Sequence, residues 1–335
     1  MQNRPANRRA ETSAASAAAV QWWSEMDIRS VRKSDVRQLV TCWNDTYTFD
    51  LTDQERFQRI VLDDPNFEPE GTLVAEIDGK IGAFASCVVR RTTTEPDGIR
   101  RRADDWPAYL KAVCWRERGA AELLLDRACR FASSQGKSSV RVVEYGGGSY
   151  FYPGIDLRYE AVLELMASNE FRQIREVHDV SVDLRFNPPR QGDYQQSQAE
   201  KVHLAGIRLA RYSQAMLATA RTFASELGIP TWFEPGWQDK WADGRTIVAL
   251  DERRIVGFSR YHPHCHGPGV GGLGPIGTLE SFRGKGIGTS LLDECMRRLS
   301  EAGCSKAIAG WAKTPFYLRN GWHIERRYAV LEKHL

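Results

Sequence analysis

The sequence contains no long hydrophobic run and no metal-type cysteine spacing. No stretch approaches the roughly 18 uncharged apolar residues that a membrane helix needs, which excludes a membrane-spanning helix and leaves us expecting no membrane partner. The seven cysteines are scattered, with no C-x-x-C pair. Zinc and dithiol redox chemistry are therefore not indicated, and we expect reduced cysteines in a cytoplasmic protein.

A strong excess of basic charge is also missing. Lys and Arg number 46 against 43 Asp and Glu, whereas nucleic-acid-binding domains are usually markedly basic. Five arginines between positions 90 and 102 are interleaved with acidic residues, so we interpret them as a solvated hairpin. We therefore expect no nucleic-acid partner.

The length of 335 residues is about twice that of a usual domain. Residues 1–25 are rich in Ala, Ser and Arg and lack a strong apolar stretch, which predicts a disordered leader. A hairpin is predicted around the turn Asp78-Gly79, because Asp-Gly supplies the positive φ that a tight turn requires. A similar strand, turn and strand recurs over 246–261.

This recurrence extends to a whole internal repeat. Arg116 and Arg283 each precede a helix with apolar residues at helical spacing. An aromatic-Tyr pair follows each helix, Phe151-Tyr152 in the first half and Phe316-Tyr317 in the second, and then an Asn-x-aromatic tripeptide and a last strand. We predict a tandem duplication of one mixed α/β domain, with domains 26–186 and 199–335 and a linker at 187–198.

The strongest local motif is a glycine-rich turn between a strand and a helix. Successive backbone N–H groups at the start of a helix form a site for phosphate or pyrophosphate, and side chains at Gly286 or Gly288 would block it. Arg283 and Lys285 add positive charge. The candidate ligand-binding residues are Ile276, Gly277, Thr278, Arg283, Gly284, Lys285, Gly286, Ile287, Gly288 and Thr289.

These residues resemble the GNAT acyl-CoA N-acyltransferases, whose pyrophosphate signature is Arg or Gln, two variable residues, Gly, one variable residue, and Gly or Ala. Arg283, Gly286 and Gly288 fit this signature, and Phe316-Tyr317 with Gly321-Trp322 matches a second motif of the family. Because Arg116, Gly119 and Ala121 also fit the first signature, the chain resembles tandem GNAT proteins of the mycothiol synthase-like arrangement. The resemblance implies two GNAT-like domains, each a mixed, mostly antiparallel twisted sheet flanked by helices.

The resemblance also implies an activity. It indicates transfer of an acetyl group from acetyl-CoA, as co-substrate and without a metal, to a primary amine of a small molecule. Tyr317 matches the tyrosine that protonates the leaving thiolate, and a backbone N–H of the strand that ends near Thr278 would polarise the thioester. An aminoacyl-tRNA-dependent transferase and a non-catalytic acyl-CoA-binding protein remain alternatives, and the protein is expected to be a monomer or a homodimer.

The two halves are not chemically equal. Glu117 places a carboxylate in the first glycine turn, so we expect catalysis in the C-terminal domain and a degenerate N-terminal domain, with a second acyl-CoA site as the alternative. The strand 270–278 has no Asp, Glu or His to act as a base. His262, His264 and His266 would face one side if their strand continued, but the neighbouring prolines and glycine favour a solvated loop. Metal binding and a role as base are the alternatives for these histidines.

Overall fold

The structure is a computed structural model that describes residues 26–90, 92–94, 100–102, 106–145, 150–186, 202, 206–229 and 241–335. The predicted leader 1–25 and linker 187–198 lie outside the described residues and stay predictions. The described chain divides into two compact units. Unit 1 contains residues 26–90, 106–175 and 329–335, and unit 2 contains the short segments 92–94 and 100–102 together with the chain from 176 to 328.

Unit 1 is a mixed sheet with helices. Its strands run in the order β1, β2, β3, β6, β7 and the last part of β15. The strands are β1 (Met26–Ser30), β2 (Thr72–Ile77), β3 (Lys80–Val88), β6 (Ala108–Trp115), β7 (Ser139–Val142), β8 (Ile155–Asp156) and the start of β9 (Arg172–Asp183), and the helices are α1 (Val36–Thr46), α2 (Gln54–Val61), α3 (Arg118–Ser134) and α4 (Glu160–Ser168). β6 and β7 are parallel, and the other paired neighbours in this order are antiparallel.

Unit 2 repeats this plan. Its strands run in the order β9, β14, β13, β12, β11 and β10, with β13 and β14 parallel. The strands are β10 (Ile207–Arg211), β11 (Thr246–Asp251), β12 (Arg254–His262), β13 (Val270–Thr278), β14 (Lys306–Ala309) and β15 (His323–His334), and the helices are α5 (Leu217–Glu226), α6 (Ile287–Glu301) and α7 (Thr314–Arg319). β4 (Thr92–Thr94) and β5 (Arg100–Arg102) form a separate antiparallel pair.

The repeat is visible in individual hydrogen bonds. The N–H of Val31 donates to the carbonyl of Thr72 at 3.0 Å in unit 1, and the N–H of Tyr212 donates to Thr246 at 3.0 Å in unit 2. Each following hairpin has its register shift directly after the alanine at position 75 or 249. These matches confirm the predicted fold class of two tandem mixed α/β domains.

The two sequence halves exchange strands. Glu176–Asp183 of β9, which closes the first sequence half, pairs with β14 of unit 2, so that Val180 lies opposite Ala309. The end of β15, which closes the second half, pairs with β7 of unit 1, so that Leu331 lies opposite Val142. The units therefore differ from the two sequence halves, because each sheet takes a strand from the other half.

The core of unit 2 lies between its sheet and helix α6. Ile287, Leu291, Cys295 and Leu299 face the sheet at helical spacing and are fully buried or nearly so. Gly257 lets the helix approach, because a Cβ at this position would lie 2.9 Å from Ile287 Cγ2. Among the described residues, no helix is both long and apolar enough to span a bilayer.

Candidate active site

The edge of β13 that faces β14 is only partly paired. β13 and β14 are paired over Val270–Gly272 against Lys306–Ile308. From Leu273 to Thr278, this edge of β13 has no strand partner among the described residues, while its other edge continues along β12. We call Leu273–Thr278 the free edge. Apart from Pro275, which has no N–H, and the Gly274 carbonyl, which lies 3.1 Å from His262 Nε2, its backbone groups can pair with an extended ligand that carries amides of its own.

The glycine-rich turn lies beyond the free edge and is called the cradle, Arg283–Thr289. Gly284 and Gly286 have φ of 79° and 80°, a left-handed conformation that favours glycine. Gly286 is the N-cap of α6, and no side chain caps this helix. The first N–H groups of a helix have no partner within it. The cradle therefore presents Ile287, Gly288 and Thr289 N–H groups at the positive end of the helix dipole, which suits an anionic ligand.

The two basic side chains of the cradle are exposed. Arg283 lies 3.5 Å from the carboxylate of Glu280, measured between Nη1 and Oε1. The Lys285 ammonium lies 4.4 Å from the centre of the Phe282 ring. Both contacts are on the surface and leave the charges accessible to a ligand. Glu280, two residues after the free edge, is the exposed partner of Arg283.

Gly288 brings the cradle, β13 and helix α7 together. A Cβ at Gly288 would lie 3.1 Å from the Phe316 ring and 4.0 Å from Thr278 Oγ1. Among the other predicted ligand residues, Ile287 has its side chain in the core. Gly277 faces helix α5, since its Cβ would lie 2.7 Å from Leu227. Ile287 and Gly277 can therefore offer a ligand only their backbone.

Tyr317 follows Phe316 on α7 and is 4% exposed. Its ring makes edge contacts with Phe316 and Trp322, with centroids 5.2 and 5.0 Å away. Burial raises the pKa of Tyr317 above its ordinary value, and a negative charge on Cys295 would raise it further. The phenol is therefore protonated throughout the neutral range and can act only as a proton donor there.

The counterpart of Tyr317 in unit 1 is Met166. The Asn169 side chain donates to the carbonyl of Leu165 at 2.8 Å, and the Asn320 side chain donates to Phe316 at 2.8 Å. The N–H of Phe171 donates to Met166, and that of Trp322 donates to Tyr317. These bonds align Leu165-Met166 with Phe316-Tyr317, so unit 1 has a thioether where unit 2 has a phenol.

The predicted alignment of Phe151-Tyr152 with Phe316-Tyr317 is therefore wrong. Phe151 and Tyr152 precede α4 and pack against Trp43, with ring centroids 4.0 and 5.6 Å away. Tyr47 joins this aromatic group, and its hydroxyl donates to the carbonyl of Val113 at 2.8 Å. Strand alignment places Val113 at the position of Ile276, so that an internal side chain already occupies this carbonyl in unit 1.

Unit 1 also lacks the cradle loop in its described residues. Only two residues, Arg116 and Glu117, separate β6 from helix α3, and the N–H groups of both donate to the carbonyl of Gly82. Gly119 lies within the helix rather than in a left-handed turn. The Arg118 guanidinium contacts Glu122 and Ser168, at 3.1 Å each. The sequence signature is present in unit 1, but its loop geometry is not.

One side of β13 is open where the equivalent side of β6 is filled. Strand alignment matches Gly272 and Gly274 with Tyr109 and Lys111. A Cβ at Gly274 would meet no atom within 4 Å. The buried ammonium of Lys111 instead forms an ion pair with the buried carboxylate of Asp64 and donates to the carbonyl of Ile60 at 2.7 Å. The glycines of β13 thus leave space beside the free edge.

The three clustered histidines do not share one side, because β12 ends at His262 and a turn follows. His262 Nε2 lies 3.1 Å from the carbonyl oxygen of Gly274. Burial and then Arg260 lower the pKa of His262 below its ordinary value. His264 instead contacts the carbonyl of Ala302 at the end of α6. The turn after His262 agrees with the loop that the neighbouring prolines and glycine favoured.

His266 lies beside Gly272, on the same side of the sheet as His262. A Cβ at Gly272 would lie 3.4 Å from His266 Nε2 and 3.7 Å from His262 Cβ. Partial burial of its ring lowers the pKa of His266, and the negative charge of Asp179 partly opposes this effect. Two imidazoles with lowered pKa therefore flank Gly272, and a Cβ there would also lie 2.5 Å from Cys265 Sγ. Among the described residues, no group of three or more His, Cys, Asp or Glu is arranged to hold a metal ion.

Sequence reasoning missed the polar residues of β9. His178 Nδ1 lies 2.7 Å from the hydroxyl of Thr314, at the start of the helix that carries Tyr317. Asp179 accepts hydrogen bonds from the N–H of Trp311 and the hydroxyl of Tyr328, at 3.1 and 2.7 Å. This placement was not predicted, because β9 was expected to close the sheet of the first half.

Comparison with known proteins supports a GNAT assignment for the C-terminal part. Residues 214–322 match the acetyltransferase (GNAT) family. The matched segment contains the cradle, the free edge and Tyr317, so the chain carries a GNAT acetyltransferase domain and is an acyltransferase. No curated protein matches the sequence.

Solved structures of similar fold extend over most of the chain. A GCN5-related glucosamine N-acetyltransferase region in a fungal multi-domain GH3 β-N-acetylglucosaminidase matches with a TM-score of 0.70 and 18% identity over 92% of this chain. The chain spans only 38% of that protein. A GCN5-related N-acetyltransferase from Sphaerobacter thermophilus matches with a TM-score of 0.63, 16% identity and coverage of 92% and 96%. A tandem GNAT protein from the clavulanic acid biosynthesis pathway matches with a TM-score of 0.59 and 12% identity. The match covers 92% of this chain and 98% of that protein.

Proposed function

We propose that unit 2 transfers an acetyl group from acetyl-CoA to the primary amine of a small molecule. The observation that carries this proposal is the sequence of three features along unit 2: an unpaired strand edge, an uncapped helix start behind left-handed glycines, and a buried protonated tyrosine. In unit 1 the strand carbonyl is occupied by Tyr47, the helix starts without a loop, and methionine replaces the tyrosine.

The residues present fit acetyl-CoA as the co-substrate. The free edge matches the amides of a pantetheine arm, since both offer N–H and carbonyl groups in an extended arrangement. The cradle matches the pyrophosphate through the N–H groups of residues 287–289 and the charges of Arg283 and Lys285. Gly286 and Gly288 keep side chains away from these N–H groups. The predicted ligand residues Ile276, Gly277 and Thr278 would act through their backbone.

The chemistry requires a neutral amine, a polarised thioester and a proton for the leaving thiolate. A backbone N–H of the free edge would stabilise the negative charge that develops on the thioester oxygen. The amine nitrogen forms the new bond to the acyl carbon and releases one proton to solvent, and the carbon–sulfur bond breaks. Tyr317 donates its phenolic proton to the sulfur and then regains a proton from solvent.

Unit 1 serves a structural role in this proposal, and the first sequence half contributes strand β9 to the sheet of unit 2. The acceptor is proposed to be a small-molecule amine, because no nucleic-acid or membrane partner is indicated by charge or hydropathy. An amino sugar is a reasonable first probe, since the fungal structural neighbour is described as a glucosamine N-acetyltransferase region. The mycothiol synthase-like arrangement, the cytoplasmic location and the monomeric or homodimeric state remain parts of the proposal.

The test is release of CoA from acetyl-CoA in the presence of individual amines: glucosamine, kanamycin, spermidine, lysine and hydroxylamine. Acetyl-CoA binding is measured in parallel by calorimetry. Amine-dependent CoA release with an acetylated product supports the proposal. Tight binding without release for any amine would favour the non-catalytic acyl-CoA-binding protein. Transfer only from aminoacyl-tRNA would favour the tRNA-dependent enzyme.

A further inference from the structure

The strand exchange gives unit 2 a carboxylate beside the open part of its sheet. Val180 and Val182 of β9 face the core with Ala307 and Ala309. Because side chains alternate along a strand, Asp179 lies on the opposite face. A Cβ at Gly310 would lie 3.2 Å from Asp179 Oδ1. Asp179 therefore lies next to Gly310, two residues beyond the last paired residue of β14.

His266 lies on this same face. The Nε2 atom of His266 lies beside Gly272. Gly272 is paired with Ile308, and paired residues present their side chains to the same face of a sheet. Gly272 and Gly310 are thus neighbouring positions without side chains, with His266 beside one and Asp179 beside the other. Asp179 is the charged group that acts on His266, while His262 and Cys265 are the other titratable groups near Gly272.

Within the described part of unit 1, valine and tyrosine stand at the positions of Asp179 and Gly272. In unit 1, β15 has the position that β9 has in unit 2. Leu331 pairs with Val142 as Val180 pairs with Ala309, so Val330 corresponds to Asp179. Tyr109 replaces Gly272 and contacts Tyr145, with ring centroids 5.4 Å apart. The open polar recess therefore occurs together with the cradle and Tyr317 in unit 2, and is replaced by packed side chains in unit 1.

We propose that His266 takes the proton from the acceptor amine and that Asp179, delivered by the strand of the other sequence half, positions and polarises His266. This inference rests on the proposed function. The proton leaves the acceptor ammonium for the unprotonated ring nitrogen of His266, the freed nitrogen lone pair forms the bond to the acyl carbon, and His266 returns the proton to solvent. Asp179 is held by Trp311 and Tyr328 and stabilises the imidazolium that forms.

The variants His266→Gln and Asp179→Asn test this inference in the full-length protein. We expect His266→Gln to lower kcat/KM for glucosamine by about 10²- to 10⁴-fold, the range of general base catalysis. The loss should be much smaller for hydroxylamine, a weakly basic amine that is already neutral at physiological pH. His264→Gln is the matched control, because His264 lies at the end of α6 and should leave both rates unchanged.

The second arm follows the histidine rings by NMR and needs no acceptor. Asp179 raises the pKa of His266, so Asp179→Asn should move the titration of His266 to lower pH and leave that of His264 in place. The acidic limb of the kcat/KM profile should move in the same direction. The inference is overturned if His266→Gln retains the wild-type rate with glucosamine, or if Asp179→Asn leaves the His266 titration unchanged. Failure of the wild type with every amine overturns the proposed function itself, whatever the NMR result.

Discussion

Met166 occupies in unit 1 the position that Tyr317 occupies in unit 2. Each accepts a backbone hydrogen bond from the aromatic residue five positions later, at 3.0 and 3.1 Å. Each is also buried, at 0% and 4% exposure. The duplicated helices have thus kept their packing, while only one of them carries a group that can donate a proton.

Tyr317→Phe should keep the ring packing and remove the proton donor. We expect kcat and kcat/KM to fall together by about 10²- to 10⁴-fold, with unchanged affinity for acetyl-CoA by calorimetry. Tyr261→Phe is the control, because the Tyr261 hydroxyl contacts the carbonyl of Gly244 rather than the cradle. An unchanged rate with chemistry limiting, or a loss explained wholly by weaker acetyl-CoA binding, would remove Tyr317 from the mechanism.

Gly286→Val should abolish detectable acetyl-CoA binding, because a side chain would stand at the N-cap of α6 and disturb its left-handed turn. Gly303→Val has the same kind of backbone strain, with φ of 83° at the other end of the helix. Calorimetry should show normal binding for the Gly303 variant and for Gly119→Val in unit 1. Equal loss in the Gly286 and Gly303 variants would assign the effect to strain alone.

Cleavage of the linker should not separate the two parts of the chain. A protease site introduced within 187–198 yields one fragment with β9 and another with β14 and the end of β15. Each fragment then supplies a strand to a sheet of the other. We expect the cleaved protein to elute as one species in size-exclusion chromatography without denaturant. Two separate peaks under native conditions would contradict the strand exchange.

Lys111→Met should destabilise the protein without changing its chemistry. The substitution leaves Asp64 buried without its charge partner, which typically costs about 3–5 kcal/mol. The thermal midpoint should fall, and Lys111→Met with Asp64→Asn should recover part of the loss. Below the melting transition, acetyl-CoA affinity should equal that of the wild type. Loss of affinity in the folded variant would give unit 1 a direct part in ligand binding.

Local features of this protein were accessible from sequence because their causes are local. The left-handed turns at Asp78-Gly79 and in the cradle follow from residue types that tolerate positive φ. The helix that begins at Ile287 follows from its apolar spacing. The candidate acyl-CoA-binding residues could be predicted for the same reason. In the structure, Ile287 packs in the core and Gly277 packs against Leu227, so both can offer a ligand only their backbone.

The missed features depend on distant pairing. The alternation in β9 predicts a strand but does not say which sheet it joins, so Asp179 could not be placed beside Gly310. The aromatic-Tyr pair in the first half was matched by residue type, whereas hydrogen bonding of Asn169 identifies Met166 as the true counterpart. The ion pair of Lys111 and Asp64 joins residues 47 positions apart, and no spacing rule connects them.

The exchanged strands also set the order in which the molecule can mature on the ribosome. The sheet of unit 1 needs residues 329–335, which are synthesised only after all of unit 2. The N-terminal part of the nascent chain must therefore wait with an incomplete sheet edge, exposed to pairing with other chains. Unit 2, in contrast, receives β9 before its own strands are made. Synthesis from the N-terminus thus completes unit 2 first and unit 1 last.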